Sequence, residues 1–235
     1  MEKDLKQIVI LAGGKGTRMR ELTETIPKPM VEIGGKPVLE HLIKIFDNFS
    51  NFEYILCTGY KSEIIEEYFE SRKNVKIVNT GEETNTGGRL YKVSDMLQDN
   101  FLITYGDGLA NVNISELIDF HYSNNEIGTI TVTNPVSRFG LVEFDEERIV
   151  NKFVEKPKLS GFINIGFMVF NKEILKYLNE NSTLESDPLI NLSNDNELKA
   201  FVHNGYFEPM DTYREYLNLN KLWDSGEKPW LNFSD

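Results

Sequence analysis

The chain has one cysteine in 235 residues, Cys57, which excludes an intramolecular disulfide framework and any cysteine-rich metal site. Cys57 sits in the apolar run 54–57 and reads as a buried structural thiol rather than a nucleophile. Basic residues are outnumbered: 25 Lys and Arg stand against 37 Asp and Glu, a formal net charge of −12. That balance argues against nucleic acid and against an anionic membrane as partners, since both need a basic surface. It leaves room for a small anionic ligand held by a few local cations. No apolar run is longer than a strand, so no transmembrane helix is expected. The N-terminus lacks the charged–apolar–small pattern of an export signal, and the expected location is cytoplasmic. Triplets such as Asn113-Ile114-Ser115 and Asn181-Ser182-Thr183 are then chance matches to a glycosylation pattern. Repeats, low-complexity tracts and Pro/Gly-rich linkers are missing too.

What is present suits a folded globular chain. Hydrophobic residues make up 40% and charged residues 26%, and a chain of this length can bury roughly 70% of its extended surface around one core. Short apolar runs alternate with helical periods. Strands are expected at 8–12, 54–58, 75–78 and 101–104, and helices at 38–46, 62–69 and 89–97. Such alternation means βαβ units and a largely parallel sheet. The second half differs: 128–133, 140–144, 149–154 and 165–170 read as strands with few long helices between them, 198–202 and 206–208 as shorter ones, and 212–223 as a closing helix. The pattern predicts a single α/β domain over residues 1–235 with a mixed, mostly parallel central sheet flanked by helices and a smaller antiparallel portion. Its nucleotide-binding half runs to about residue 125, and the half from about 126 to 235 pairs more in antiparallel fashion. Ligands of open α/β sheets sit past the carboxyl ends of strands, so the chemistry is expected after Leu11, Thr104 and Phe170.

The first strand runs into Leu11-Ala12-Gly13-Gly14-Lys15-Gly16-Thr17-Arg18-Met19. Three glycines in four positions let backbone N–H groups approach a ligand, and Lys15 and Arg18 add positive charge. An arginine fork suits a phosphate. The dinucleotide pattern fails here, because Met19 stands where its third glycine is required, and the P-loop pattern fails because Gly16 follows Lys15. A nicotinamide oxidoreductase is disfavoured on the same ground. Two readings remain for the segment alone: a phosphate or nucleotide cradle, or a plain glycine-rich connection. Pro27-Lys28-Pro29-Met30 follows, with two prolines expected to hold the backbone extended and Lys28 in place.

These two segments together resemble the signature of the sugar-1-phosphate nucleotidyltransferases, which join a nucleoside triphosphate to a sugar 1-phosphate and release pyrophosphate. Later segments resemble the glucose-1-phosphate cytidylyltransferases within that family. They are Asn79-Thr80-Gly81, Thr86-Gly87-Gly88-Arg89-Leu90, Thr104-Tyr105-Gly106-Asp107-Gly108, Arg138-Phe139-Gly140, Glu155-Lys156-Pro157-Lys158 and Asn164-Ile165-Gly166-Phe167. The tail, from Glu208-Pro209-Met210-Asp211-Thr212 through Leu222-Trp223 to Lys228-Pro229-Trp230, is similar as well. The resemblance implies a Rossmann-like nucleotidyltransferase fold, magnesium as cofactor, and CTP with a sugar 1-phosphate, glucose 1-phosphate first, as substrates. It implies a CDP-sugar product, used in deoxysugar, capsule or lipopolysaccharide precursor synthesis. Another nucleotide, another phosphorylated acceptor such as heptose 1-phosphate, or a non-sugar phosphate is the runner-up. A catalytically silent nucleotide-sensing module is the alternative of a different class. Retention of Arg18, Lys28, Asp107 and Asp211 together speaks against it.

The resemblance also implies roles. Arg18, Lys28, Asp107 and Asp211 are the expected catalytic residues, with Asp107 and Asp211 holding the metal. Leu11, Ala12, Gly13, Gly14, Gly16, Thr17, Thr86, Gly87 and Arg89 join Arg18, Lys28 and Asp107 around the nucleotide. Tyr105, Gly106, Glu155, Lys156, Asn164 and Gly166 border the sugar phosphate. No general base is needed, because the attacking phosphate is ionised at neutral pH. His41, His121 and His203 are widely spaced and need no catalytic role. The chain departs from the cytidylyltransferase pattern between the helix at 62–69 and the strand at 75: only residues 70–74 connect them where that family has a much longer segment. That segment contributes to subunit contacts in the family, so homo-oligomerisation stays open here.

Overall fold

The computed structural model describes residues 5–233. Strand β1 (Gln7–Leu11) is buried along its whole length, as a strand covered on both faces must be. Its alternation divides the core: Ile8 and Ile10 join the apolar cluster on one side of the sheet, Val9 and Leu11 the cluster on the other. The chain continues through α1 (Arg20–Thr23), the small hairpin β2 (Glu32–Ile33) and β3 (Lys36–Pro37), and α2 (Val38–Asp47). It then forms β4 (Glu53–Thr58), α3 (Ser62–Phe69), β5 (Val75–Asn79), α4 (Thr86–Lys92) and β6 (Asn100–Tyr105). Next come β7 (Gly108–Ala110), α5 (Ile114–Tyr122), β8 (Gly128–Thr133), β9 (Leu141–Phe144), β10 (Val150–Val154), β11 (Ile163–Asn164) and β12 (Met168–Asn171). The chain closes with α6 (Asp187–Asn194), β13 (Leu198–Val202), β14 (Phe207–Pro209) and α7 (Tyr213–Asp224).

Among the described residues the main sheet has eight strands, in the order β11-β8-β12-β6-β1-β4-β5, with β13 also on β8. Strands β6, β1, β4 and β5 run parallel. Strand β12 runs antiparallel to both β6 and β8, and β13 parallel to β8. The fold is therefore the expected mixed, mostly parallel α/β sheet. One expectation is corrected: because β12 is reversed, the segment after Phe170 leaves at the far end of the sheet. The segment that enters β12, Asn164 to Phe167, lies at the cavity end instead.

The strand expected at 165–170 is interrupted as well. Gly166 has φ 77° and Phe167 φ 53°, and this left-handed pair splits the run into β11 and β12. Both halves pair with β8. The helix expected at 89–97 starts earlier, at Thr86, and gives way to a 3-10 turn at Ser94–Met96. Helices α5 and α6 were not expected. The first has an Asn113 cap that accepts from the Glu116 N–H, a signal present in the sequence.

Both clusters of core residues draw on distant parts of the chain. The cluster over α2 takes in Val169, Leu219 and Trp230 along with Ile8 and Ile10. The short 70–74 connection is tied down by Arg72, which pairs with Glu40 at 3.4 Å and Asp47 at 3.3 Å. All three histidines are buried, with ring nitrogens bonded to Ile33 O, Thr129 Oγ1 and Tyr206 O. Burial lowers the pKa of each, that of His121 to about 4, so they stay neutral parts of the core. Burial also pushes the Cys57 thiol up to about 12. No helix among the described residues is long and apolar enough to cross a membrane.

Candidate active site

At the carboxyl end of β1 the chain turns out of the sheet into the glycine-rich segment, which forms one wall of a cavity of about 620 Å³. Leu11, Ala12, Gly13, Gly14, Gly16, Thr17 and Arg18 all line it. Gly16 has φ 64°, and a Cβ there would lie 2.9 Å from Lys28 Cβ. Gly14 faces open space. A Cβ on Gly13 would collide with the Arg89 guanidinium. Lys15 pairs with Glu82 at 2.8 Å and Glu83 at 2.6 Å, both of which line the cavity.

Lys28 is the centre of the site. Pro27 is extended, as expected, but Lys28–Met30 then close one 3-10 turn instead of continuing extended. The turn drives the Lys28 side chain inward, where only 10% of it remains exposed. Its ammonium lies 2.5 Å from Asp107 Oδ2 and 2.5 Å from Asp211 Oδ1. Arg18 Nη1 reaches the other oxygen of Asp211 at 2.9 Å. Burial works against the charged lysine, but Asp107 and then Asp211 outweigh it and raise its pKa. Burial likewise works against the Asp211 carboxylate, but the Lys28 hydrogen bond and then Arg18 hold its pKa below the ordinary aspartate value. Two cations and two carboxylates thus form one closely coupled, neutral cluster.

The two aspartates come from chain segments about a hundred residues apart. Asp107 sits between β6 and β7, and Asp211 between β14 and α7. β7 pairs with β14, and the Met210 N–H donates to Asp107 O at 2.9 Å. Asp211 is not the cap of α7. Thr212 takes that position in a capping box with Glu215. The Asp211 N–H donates to Glu215 Oε2 at 2.8 Å, and Arg138 holds the other oxygen of Glu215. The Asp211 carboxylate is thereby left to face Lys28.

The other expected residues divide. Tyr105, Gly106, Thr86 and Asn164 line the same cavity. Tyr105 donates to Glu185 at 2.5 Å and Thr86 to the same carboxylate at 2.7 Å. Burial, followed by the charge of Glu185, raises the Tyr105 pKa. Sequence reasoning missed Glu185, because only tertiary structure brings it to Tyr105. Arg89 also lines the cavity, but its guanidinium is spent on backbone carbonyls and one threonine hydroxyl. It donates to Thr58 O at 2.8 Å, Gly13 O at 3.0 Å and Thr80 Oγ1 at 2.6 Å. Gly87 is not at the wall; a Cβ there would sit 2.8 Å from Ser182, so it is glycine because the 179–182 turn packs on it. Gly166 lies behind Tyr105, whose ring would be 3.0 Å from its Cβ. Glu155 and Lys156 do not reach this cavity. Lys156 lines a neighbouring one of about 630 Å³ that shares Phe207 and Pro209 with it.

The donor set fits a magnesium ion. Asp107 Oδ2 and Asp211 Oδ1 share one ammonium and so lie at most twice 2.5 Å apart. Two carboxylates with no imidazole or thiolate form an all-oxygen set, which suits magnesium completed by phosphate oxygens and water. Among the described residues no group of three or more acidic, histidine or cysteine side chains forms a closed metal cage.

Comparison with known proteins gives three findings. The nucleotidyl transferase family model matches residues 7–210. A glucose-1-phosphate cytidylyltransferase of Salmonella typhi is 41% identical, with 94% of this chain and 97% of that protein aligned. That alignment runs over 251 positions, more than the 235 residues here, so the relative carries segments this chain lacks. The structure of HddC from Yersinia pseudotuberculosis complexed with GMP-PN is similar with a TM-score of 0.70 and 26% identity, covering 93% of this chain and all of that one.

Proposed function

The chain belongs to the nucleotidyl transferase family, and from that premise we propose that it joins CTP to a sugar 1-phosphate, glucose 1-phosphate first, to give a CDP-sugar and pyrophosphate. The observation that carries the reading is Lys28 held between Asp107 and Asp211 in the wall of a glycine-lined cavity. An oxygen of the sugar phosphate attacks the α-phosphorus, a new P–O bond forms, and the bond to the β-phosphate oxygen breaks. Both reactants are anions, so positioning and charge neutralisation supply most of the rate.

Each residue has a part in that task. Backbone N–H groups of Gly13 to Thr17 and the Arg18 guanidinium hold the triphosphate. Arg18 is 70% exposed, so it is free to swing onto a ligand without breaking core contacts. Lys28 places its ammonium at the reacting phosphate, where charge builds up in the transition state. Asp107 and Asp211 would hold a magnesium ion, which supplies further positive charge between the two anionic substrates. Tyr105, Gly106 and Asn164 border the acceptor, and Gly166 sets the backbone behind Tyr105. Lys156 would border the sugar end from the adjoining cavity, with Glu155 next to it in the chain. The proposed setting is the cytoplasm, where nucleoside triphosphates are made.

The structural similarity to HddC in complex with GMP-PN favours a guanine nucleotide as the second reading. The test is pyrophosphate release with magnesium across CTP, UTP, dTTP, ATP and GTP, each paired with a panel of sugar 1-phosphates. Release with CTP and glucose 1-phosphate alone supports the first reading. Release with GTP moves the substrate and keeps the mechanism. Silence across the panel from folded protein refutes both and turns attention to non-sugar phosphates, then to a silent nucleotide sensor.

A further inference from the structure

Glu185 has no part in the reaction as set out above. It does not line the cavity, but it bonds two residues that do. Its carboxylate oxygens are divided between them. Oε1 accepts from the Tyr105 hydroxyl at 2.5 Å, and Oε2 accepts from the Thr86 hydroxyl at 2.7 Å.

These bonds settle where each proton points. A carboxylate has no proton to give, so both hydroxyls must donate to it. The Thr86 oxygen also accepts the Leu184 N–H at 2.9 Å, which ties the start of α4 to the segment that carries Glu185. Thr86 is thereby the anchor. Tyr105, the last residue of β6, is the arm that reaches the cavity. Its ring has little freedom, because a Cβ on Gly166 would lie 3.0 Å from it. Burial, followed by the charge of Glu185, keeps the phenol protonated. With its single proton committed to Glu185, the Tyr105 oxygen can accept from a ligand but cannot donate to one. A phosphate oxygen or a carbonyl needs a donor and finds none there. A sugar hydroxyl brings its own proton and is matched. A tyrosine without Glu185 could rotate its hydroxyl and serve either kind of group.

We propose that Glu185 is a positioning residue that makes Tyr105 a fixed acceptor for a hydroxyl group of the sugar. The sugar ring, and not its phosphate, then meets Tyr105. A clamp between α4 and the 184–185 segment would need only the Thr86 bond, so the bond to Tyr105 serves the cavity. The inference rests on the proposed reaction and sets the orientation of the acceptor within it.

The test is steady-state pyrophosphate release with the active substrate pair, at saturating nucleotide and magnesium and varied acceptor. Glu185→Ala frees the Tyr105 hydroxyl, and Tyr105→Phe removes it. Each is expected to raise the acceptor KM about fivefold or more, with kcat within about twofold of the parent, as for an interaction made equally in the ground and transition states. The double variant should be no worse than the weaker single variant, because both changes remove one interaction. A Glu185→Ala protein with the parent KM, a loss confined to kcat, or a double variant whose KM rises by the product of the two singles overturns the proposal. If Glu185→Ala does not fold, Tyr105→Phe decides with a series of acceptors that each lack one hydroxyl. One of them should have the same KM with parent and variant, and a series without such a member overturns the proposal. A parent that is silent with every pair overturns the proposed reaction as well, whereas an active parent with an indifferent Glu185 overturns this inference alone.

Discussion

Replacing Arg89 with methionine tests whether this residue is a strut or a ligand contact. Arg89 is 4% exposed and has no carboxylate among its hydrogen-bond partners. It instead ties the end of β4 (Thr58 O), the glycine-rich segment (Gly13 O) and the loop after β5 (Thr80 Oγ1 and, at 3.3 Å, Glu82 O) to one point. A bond from a charged donor contributes roughly 1.5–3 kcal/mol, and a buried acceptor left unpaired costs about 1–3 kcal/mol. Against that, methionine removes the desolvation of a buried cation, which burial already disfavours by lowering the Arg89 pKa. The net expectation is a loss of about 3–5 kcal/mol. For a chain of this size that is about 6–20 °C in Tm, at ~2–4 °C per kcal/mol. Nucleotide affinity should fall in parallel, because Gly13 loses the group that fixes its carbonyl. The assay is thermal and urea unfolding followed by circular dichroism, with CTP titration by calorimetry on the folded variant. Stability within about 1 kcal/mol of the parent would refute the strut. If affinity fell at the same time, Arg89 would be a direct ligand contact.

Three further expectations concern the charged cluster. Lys28→Ala should slow turnover at least about tenfold, ~1.4 kcal/mol at the transition state, and full activity in a steady-state assay would remove Lys28 from the mechanism. Asp107→Asn should lower turnover far more than it lowers the unfolding midpoint; an unchanged rate at saturating magnesium would exclude Asp107 as a metal ligand. Asp211 has a depressed pKa in the folded state, so its stabilising contribution is complete above the unfolded value near ~3.9 and is lost as pH falls toward the folded value. The stability gap between the parent and Asp211→Asn should therefore be widest above about pH 5 and close below about pH 4. A gap that does not change with pH in urea titrations would show that the Asp211–Lys28 pair does not control it.

The cluster at the site was legible because its members lie in compact local signals. Glycines beside basic residues, a lysine between prolines and an aspartate between glycines each have a plain turn or surface reading, and it was their joint resemblance to a family signature that pointed to one site. What failed was long-range. Gly87 was expected at the nucleotide, whereas its hydrogen is demanded by Ser182, nearly a hundred residues away, as that of Gly88 beside it is by Glu180. The reversal of β12 could not be read locally either, since an apolar run has the same appearance in either direction. Glu155-Lys156 matched a family pattern, but it follows directly on β10 of the off-sheet β9–β10 arm, and Lys156 lines the neighbouring cavity instead. The capping box of Thr212 and Glu215 is the opposite case: a visible pattern whose consequence, freeing Asp211 from the cap, was not drawn from it.

The ladder between β7 and β14 has a consequence for the timing of synthesis. It seats Asp107 beside Asp211 through residues 108–110 and 207–209. A nascent chain that has emerged through β7 already holds the glycine-rich segment, Lys28 and the first aspartate. It still lacks the second carboxylate and the strand that aligns it. Folding that starts at the N-terminus therefore builds the glycine-rich segment early and completes the Lys28 cluster later. Until residues 207–211 leave the ribosome, Lys28 has a single acidic partner.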